Sequence, residues 1–454
     1  MKMSYNGTDN GYAIFRHVRI PRTNMLMRHS TVLRDGTYTS IPLRQKLLFG
    51  GMLTGRLHIV RSAASQFAQA LTICARYSVV RTQGRQFASS PSTSTSSCHV
   101  EQSIISYQHQ KHRLLTLISR CYITVFAHHH ASSLFAFLAA QQTRNDHTML
   151  PFLHVLLCGL KAWSTDTAAN GAEDARKMCG GHGCMAMSGM PDIVDRLTTM
   201  CTFEGENFVM WAQVARYLMK ALDTPEFPEE MSYMSSSSSF PTTCSAAGED
   251  ISKHDVLMEI FQHRATRLAR EAHELVQEAQ RRSKSRAEAE NIHSLPLLVA
   301  ARAHIEVLVL SFSIEAFSHF LSSAPQSLVA VISRLISLFG LTTIASPLAP
   351  FTGSFLGDDY LSSSQLADMQ AQIDALLEKL GPDVIALTDA WMFTDASLAS
   401  AIGCADGDIY ARMMAWTRQL PINVDAARNG GIWEEGKGEL SSFWGRNMKR
   451  ASKL

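Results

Sequence analysis

Apolar residues recur every three or four positions along most of this chain, a spacing that predicts a largely helical protein. Over residues 43–83 the stripe is Leu47, Leu48, Met52, Leu57, Ile59, Val60, Phe67, Leu71 and Ile73, which predicts one long helix with a buried face. Similar patterns run over 101–140 and 150–178, and Phe208, Trp211, Ala215 and Leu218 mark one face of a shorter helix. After a break the period returns. Leu257, Ile260, Phe261, Ala265, Leu268, Ala272 and Leu275 follow Ser252 and Asp255, which together read as a capping-box start. Further helices are predicted near 297–322, 326–341, 364–380 and 408–417, with proline and glycine between them.

The pattern differs at four places. Residues 12–20 are rich in β-branched and aromatic side chains and stop at Pro21, which predicts a strand. Residues 88–97 are dominated by serine and threonine, with too little apolar surface to order themselves, and read as a flexible insert. Residues 223–250 carry proline and serine without helical period and read as a linker, and 347–357 read as a surface loop. The expected fold class is mostly α: two helical-bundle domains with a short β segment at the N-terminus.

Composition narrows the function classes. A chain of 454 residues with 46% apolar content has ample material for two domains. The net charge of +2, with no basic block or stripe, argues against a nucleic-acid partner. Nine scattered cysteines without a CxxC pair predict reduced thiols and neither disulfide nor zinc. His128, His129 and His130 are consecutive, so on a helix they point in three directions and cannot converge on one ion; no metal site is assigned. No apolar run reads as long enough to span a bilayer, and the first residues have no hydrophobic signal core.

The chemistry concentrates between Cys179 and Lys220. Gly180, Gly181 and Gly183 remove three β-carbons from one short loop, which lets backbone N–H groups approach a phosphate; a plain tight turn explains them as well. About twenty residues on, Thr202, Phe203, Glu204, Gly205, Glu206 and Asn207 lead into an apolar helix. A carboxylate there is a candidate base, or simply a first-turn residue favoured by the helix dipole.

Taken together this stretch resembles the acyl-CoA oxidases, flavoenzymes akin to the acyl-CoA dehydrogenases, whose pattern is CGGHGY, then SGxPD, then a TFEGEN-type turn. Cys184 stands where tyrosine is usual. The resemblance extends outward: Arg76, Tyr77, Arg81 and Gln83 match an RYSxxRxQ helix ending, Tyr107, Gln108 and Gln110 echo a DYQTQQ segment near flavin and subunit contact, and 169–173 resembles NDGIE, whose glycine lets two backbones meet. Residues 401–423 resemble the oxidase tail.

The resemblance implies that Glu204 is the catalytic base and that Gly180, Gly181, His182 and Gly183 form the loop beside the FAD pyrophosphate, the backbone of His182 mattering more than its ring. It implies that Arg81 reaches an FAD phosphate across a homodimer interface. A helix C-terminus offset against its dipole is the other reading of that arginine. Glu206 is a rival base that the turn would aim differently. The implied reaction takes two hydrogens from a fatty acyl-CoA, the α-proton to Glu204 and the β-hydride to FAD, with molecular oxygen as final acceptor, giving trans-2-enoyl-CoA and hydrogen peroxide.

The implied domains are 1–40 as a remnant of the central β-domain, 41–222 as the FAD-binding and catalytic helical domain, 223–250 as linker, 251–440 as the C-terminal helical domain and 441–454 as a tail. The family's N-terminal helical domain and most of its β-domain have no counterpart ahead of residue 1, which raises the alternative of a catalytically incomplete helical subunit that keeps dimerisation and targeting. Independently of the resemblance, the ending Ser452-Lys453-Leu454 is the address read by the peroxisomal import receptor, so the peroxisome is the expected location.

Overall fold

A computed structural model of the chain describes residues 2–27, 30–40, 50–85, 101–144, 146–224, 227–235, 242–321, 324–346, 352–420 and 423–424. The polar run 88–97, the expected helix start at 43–49 and the Ser452-Lys453-Leu454 ending lie outside the described residues.

The first helical group comprises α1 (Gly50–Val80), α2 (Gln108–Thr143), α3 (Leu150–Met178), α4 (Met190–Met200) and α5 (Asn207–Leu222). The second comprises α6 (His254–Arg281), α7 (Arg286–Ile292), α8 (Ser294–Leu321), α9 (Gln326–Ala345) and α10 (Ser363–Leu380), followed by short α11 (Val384–Asp389), α12 (Asp395–Leu398) and α13 (Ile409–Gln419). The protein is thus mostly helical, as the apolar period predicts. Two antiparallel pairs are the strands among the described residues: β1 (Ser30–Val32) with β2 (Tyr38–Ser40), and β3 (Thr82–Arg85) with β4 (Glu101–Ser103).

A buried core runs without a break through both groups. Helix α1 packs along α3 in parallel, with Arg56 reaching Cys158 near their starts, the Phe67 ring against Gly171 further along and Tyr77 meeting His182 just past the end of α3. Helix α8 touches α2, α5 and α6 and is apolar almost all round, the composition of a helix surrounded by others. Glycines set the closest approaches: a Cβ on Gly159 would lie 2.3 Å from Ile305, and one on Gly171 would lie 2.5 Å from the Phe67 ring. Gly171 therefore makes room for an aromatic side chain, where the resemblance implied two meeting backbones.

Buried charge also joins the elements. The Arg264 guanidinium donates to Glu306 Oε2 at 2.6 Å and lies 4.2 Å from the Phe355 ring centroid, while Arg302 donates to Glu306 Oε1 at 3.0 Å. On α1, Arg76 donates to Asp389 at 2.9 Å and to the Gly403 carbonyl at 2.8 Å, tying the first group to the C-terminal segments.

Several expectations need correction. Residues 12–20 form no strand; Tyr12 is 91% and Phe15 79% exposed, because no neighbouring strand among the described residues offers the ladder partners that such a segment needs. Helix α6 begins at His254, and Ser252 bonds backward to Glu249 in a 3-10 turn, so the capping box is not formed. The expected linker is partly built in: Met231 and Met234 are fully buried and Cys244 N–H donates to the Tyr360 carbonyl at 2.9 Å. Phe355, inside the expected surface loop, is buried beneath Arg264.

The expectation about membrane spans is also corrected. Among the described residues three segments, Gln108–Gln141, Ser294–His319 and Gln326–Ala345, are long and apolar enough to cross a bilayer. Within this fold 72% of the apolar window of the second is buried by other helices, which accounts for much of its apolarity.

Candidate functional site

Glu204 sits in the turn 201–206 that carries the chain from α4 into α5. Its φ is +57° and that of Gly205 is +108°, so two successive left-handed residues fold the turn tightly; the first is strained for a non-glycine residue. Glu206 is the N-cap of α5, accepting from Phe208 N–H at 2.9 Å and Val209 N–H at 3.4 Å. That bonding commits Glu206 to the helix end. Glu204 is exposed and lines a cavity of about 580 Å³ walled by Met52, Leu53, Leu150, Pro151, Val209 and Met210, with Arg56 and His154 as its other charged or titratable neighbours.

Gly55 is what lets the carboxylate lie against α1: a Cβ there would be 3.2 Å from Glu204 Cδ. Among the described residues the Glu204 backbone N–H meets no acceptor. Beneath the turn two buried cations hold it. Arg56 Nε donates to the Glu204 carbonyl at 3.3 Å, and its Nη1 to Cys158 Sγ at 3.2 Å. Lys161, fully buried, donates to the Gly205 carbonyl and to Asn207 Oδ1, both at 2.8 Å. Asn207 in turn donates to Asp166 Oδ1 at 2.6 Å. Burial pushes the Lys161 ammonium down to about 8, and pushes the Cys158 thiol up to about 11. His154 is likewise held below its ordinary value by burial.

The glycine loop lies elsewhere. Residues Gly180–Cys184 form a 3-10 turn at the end of α3. Gly180 has φ +59°, and a Cβ on Gly180 or Gly181 would meet nothing within 4 Å, so both present open backbone. Gly183 has a different reason: a Cβ there would lie 2.1 Å from the Arg176 carbonyl, an internal packing constraint. The His182 ring has a partner of its own, Nδ1 lying 2.8 Å from the Tyr77 hydroxyl, and burial pushes that phenol up to about 12. Nearby Arg81 donates to the Tyr410 hydroxyl at 2.9 Å, a bond that raises its guanidinium above the ordinary value.

Helix α1 touches both places, at Gly55 and at Tyr77. Twenty-two residues of helix separate those contacts, about 33 Å at 1.5 Å per residue. Glu204 is therefore not brought together with Gly180, Gly181, His182, Gly183 and Arg81 within one chain; the latter five form a cluster at the opposite end of α1. Arg56 and Lys161 escaped the sequence reading. The signal for Lys161 was there, a single cation inside the apolar run Leu156-Leu157-Cys158-Gly159-Leu160-Lys161-Ala162-Trp163. Among the described residues, no three His, Cys, Asp or Glu side chains gather closely enough to hold a metal ion. His130 instead stacks on Phe312 at 3.9 Å and faces Glu315.

Residues 49–219 match the family model "Acyl-CoA oxidase, C-alpha1 domain" and residues 253–430 match "Acyl-CoA oxidase". Peroxisomal acyl-coenzyme A oxidase 1 of Phascolarctos cinereus is 35% identical over 432 residues, covering 93% of this chain and 63% of that protein. Among solved structures, Arabidopsis thaliana acyl-CoA oxidase 1 superposes with a TM-score of 0.83 at 30% identity, over 92% of this chain and 62% of the other. Acyl-CoA oxidase-2 of Caenorhabditis elegans, solved with FAD, ascaroside-CoA and ATP, gives the same TM-score at 28% identity, over 100% of this chain and 64% of the other. The chain thus spans somewhat under two thirds of the length of these proteins. With both helical groups matched in sequence and in fold, the chain belongs to the acyl-CoA oxidase family.

Proposed function

We propose that this chain acts as an FAD-dependent acyl-CoA oxidase in peroxisomal fatty-acid β-oxidation, with Glu204 as the base. One observation carries the reading: a carboxylate with no ion-pair partner among the described residues, at the wall of an apolar cavity of about 580 Å³, with Gly55 leaving the space in which it lies. An apolar cavity of that size suits the acyl end of a thioester and fixes its α-carbon beside the carboxylate. Glu204 takes the α-proton onto a carboxyl oxygen, and the electron pair left behind moves toward the thioester oxygen. The free N–H of Glu204 is available to that oxygen, where negative charge develops.

FAD fits the other cluster. Open backbone at Gly180 and Gly181 beside the Arg81 guanidinium suits a phosphate group. When bound, FAD supplies acceptance of the β-hydride and, through reoxidation by molecular oxygen, release of hydrogen peroxide. Because about 33 Å of helix separates this cluster from Glu204, one cofactor cannot touch both in the same chain, and a homodimer in which each copy's Gly180–Arg81 cluster serves the other copy's Glu204 resolves the separation. The Ser452-Lys453-Leu454 ending and the names of the relatives both favour the peroxisome. The test is to incubate the purified chain with a long-chain saturated acyl-CoA in air: trans-2-enoyl-CoA and hydrogen peroxide should form in equal amounts. A flavin-containing protein that forms neither would contradict the oxidase reading, and a colourless protein would favour the incomplete helical subunit.

A further inference from the structure

We propose that Arg56 and Lys161 are positioning residues for the base: together they clamp the Glu204–Gly205 turn by its two successive carbonyl oxygens and so fix where the Glu204 carboxylate points. This rests on the reading of Glu204 as the base and adds to it the device that aims that base.

The geometry is specific. The two carbonyls are adjacent along the chain, yet they are held from different helices, the Glu204 carbonyl by Arg56 of α1 at 3.3 Å and the Gly205 carbonyl by Lys161 of α3 at 2.8 Å. Each carbonyl belongs to its own peptide plane, so holding both fixes the two planes that flank Gly205, and with the first of them the backbone from which the Glu204 side chain springs. Such a hold is needed because Glu204 is left-handed at φ +57°, a conformation that a glutamate leaves unless its surroundings enforce it. Lys161 also grips Asn207 Oδ1, so the turn and the first residue of α5 are fixed by the same ammonium.

Stability is a poor reason for these two side chains. Arg56 is 3% exposed and Lys161 0% exposed, and among the described residues neither has a carboxylate within ion-pair distance. A buried cation answered only by neutral acceptors is destabilising relative to an apolar side chain of similar shape. The charged and titratable groups that face Lys161 are Asp166 on its own helix, Cys201 and Glu206 in the turn region and Arg56 from α1. With the ammonium lowered to about 8 it remains mostly charged at neutral pH.

The experiment uses the full chain with its flavin and a 3-thia fatty acyl-CoA, whose sulfur replaces the β-carbon, so that the α-proton can be removed but no hydride can leave. Exchange of the α-hydrogen in deuterated water, read by mass spectrometry, then reports the base alone. Lys161→Met should keep the fold, by thermal melting, and bind the analogue within about threefold of wild type, yet lose about 10- to 100-fold in exchange rate, the size expected for a reacting group displaced by up to an ångström. Arg56→Met should do the same and Arg56→Lys should recover part of the loss. Lys161→Met and Arg56→Met exchanging at the wild-type rate would overturn the clamp. If Lys161→Met does not fold, the Arg56 pair alone decides, and equal exchange in Arg56→Met and Arg56→Lys overturns it. Glu204→Gln separates the two levels: exchange undiminished in that variant would remove the base assignment itself, whereas exchange lost there but intact in Lys161→Met would remove only the clamp.

Discussion

Glu204 and Glu206 stand two residues apart with the same functional group, and the backbone divides their roles. Glu206 has extended φ and ψ of −59° and 144°, the geometry of an N-cap, and its carboxylate is taken by two N–H groups of α5. Glu204, turned left-handed, faces the apolar cavity with Gly55 behind it. That contact gives a prediction at the scale of one residue. Gly55→Ala asks the carboxylate to yield by a few tenths of an ångström, whereas Gly55→Val puts a branched side chain where it lies. Turnover with acyl-CoA should fall about 10- to 100-fold in Gly55→Val and much less in Gly55→Ala, with melting temperatures close to wild type. Equal turnover in all three proteins would show that the carboxylate does no work at this place.

Among the elements, α8 carries His304 into the middle of the second helical group, where Nδ1 meets the Tyr233 hydroxyl at 2.8 Å and Nε2 has no partner among the described residues. Burial lowers this imidazole from 6.5 to about 4. On acidification the unfolded chain therefore gains its proton first, and stability should fall progressively as pH drops from about 6.5 to about 4, by about 3 kcal/mol in all. Urea unfolding at several pH values checks this against His304→Phe, which should lose less on acidification; the same pH dependence in both would contradict it.

Element existence was largely legible in the sequence because the helices bury one face and so keep their period. Boundaries that depend on what lies across the chain were not. Ser252 and Asp255 satisfy the local signature of a capping box, yet Ser252 is drawn into the turn with Glu249. Residues 12–20 have strand composition, but pairing is a property of two segments and one alone cannot supply it. At the site, motif spacing singled out Glu204 and the glycine loop. Arg56 and Lys161 did not stand out, since each matters through a backbone carbonyl brought to it from another helix.

At the scale of the whole molecule the two candidate clusters lie at opposite ends of α1, about 33 Å apart. Two copies that exchange clusters would each complete one site. Mixing the inactive variants Glu204→Gln and Arg81→Ala, with subunit exchange allowed, should then restore activity, because a mixed dimer holds one site with neither substitution. Activity that stays at the level of the separate variants would rule out the shared site.

The most direct test of the base assignment is to load the purified chain with FAD and mix it anaerobically with a long-chain acyl-CoA, following absorbance near the flavin maximum. The account predicts that wild type bleaches on mixing and that Glu204→Gln binds the same flavin yet stays yellow. Bleaching of Glu204→Gln at the wild-type rate would contradict it.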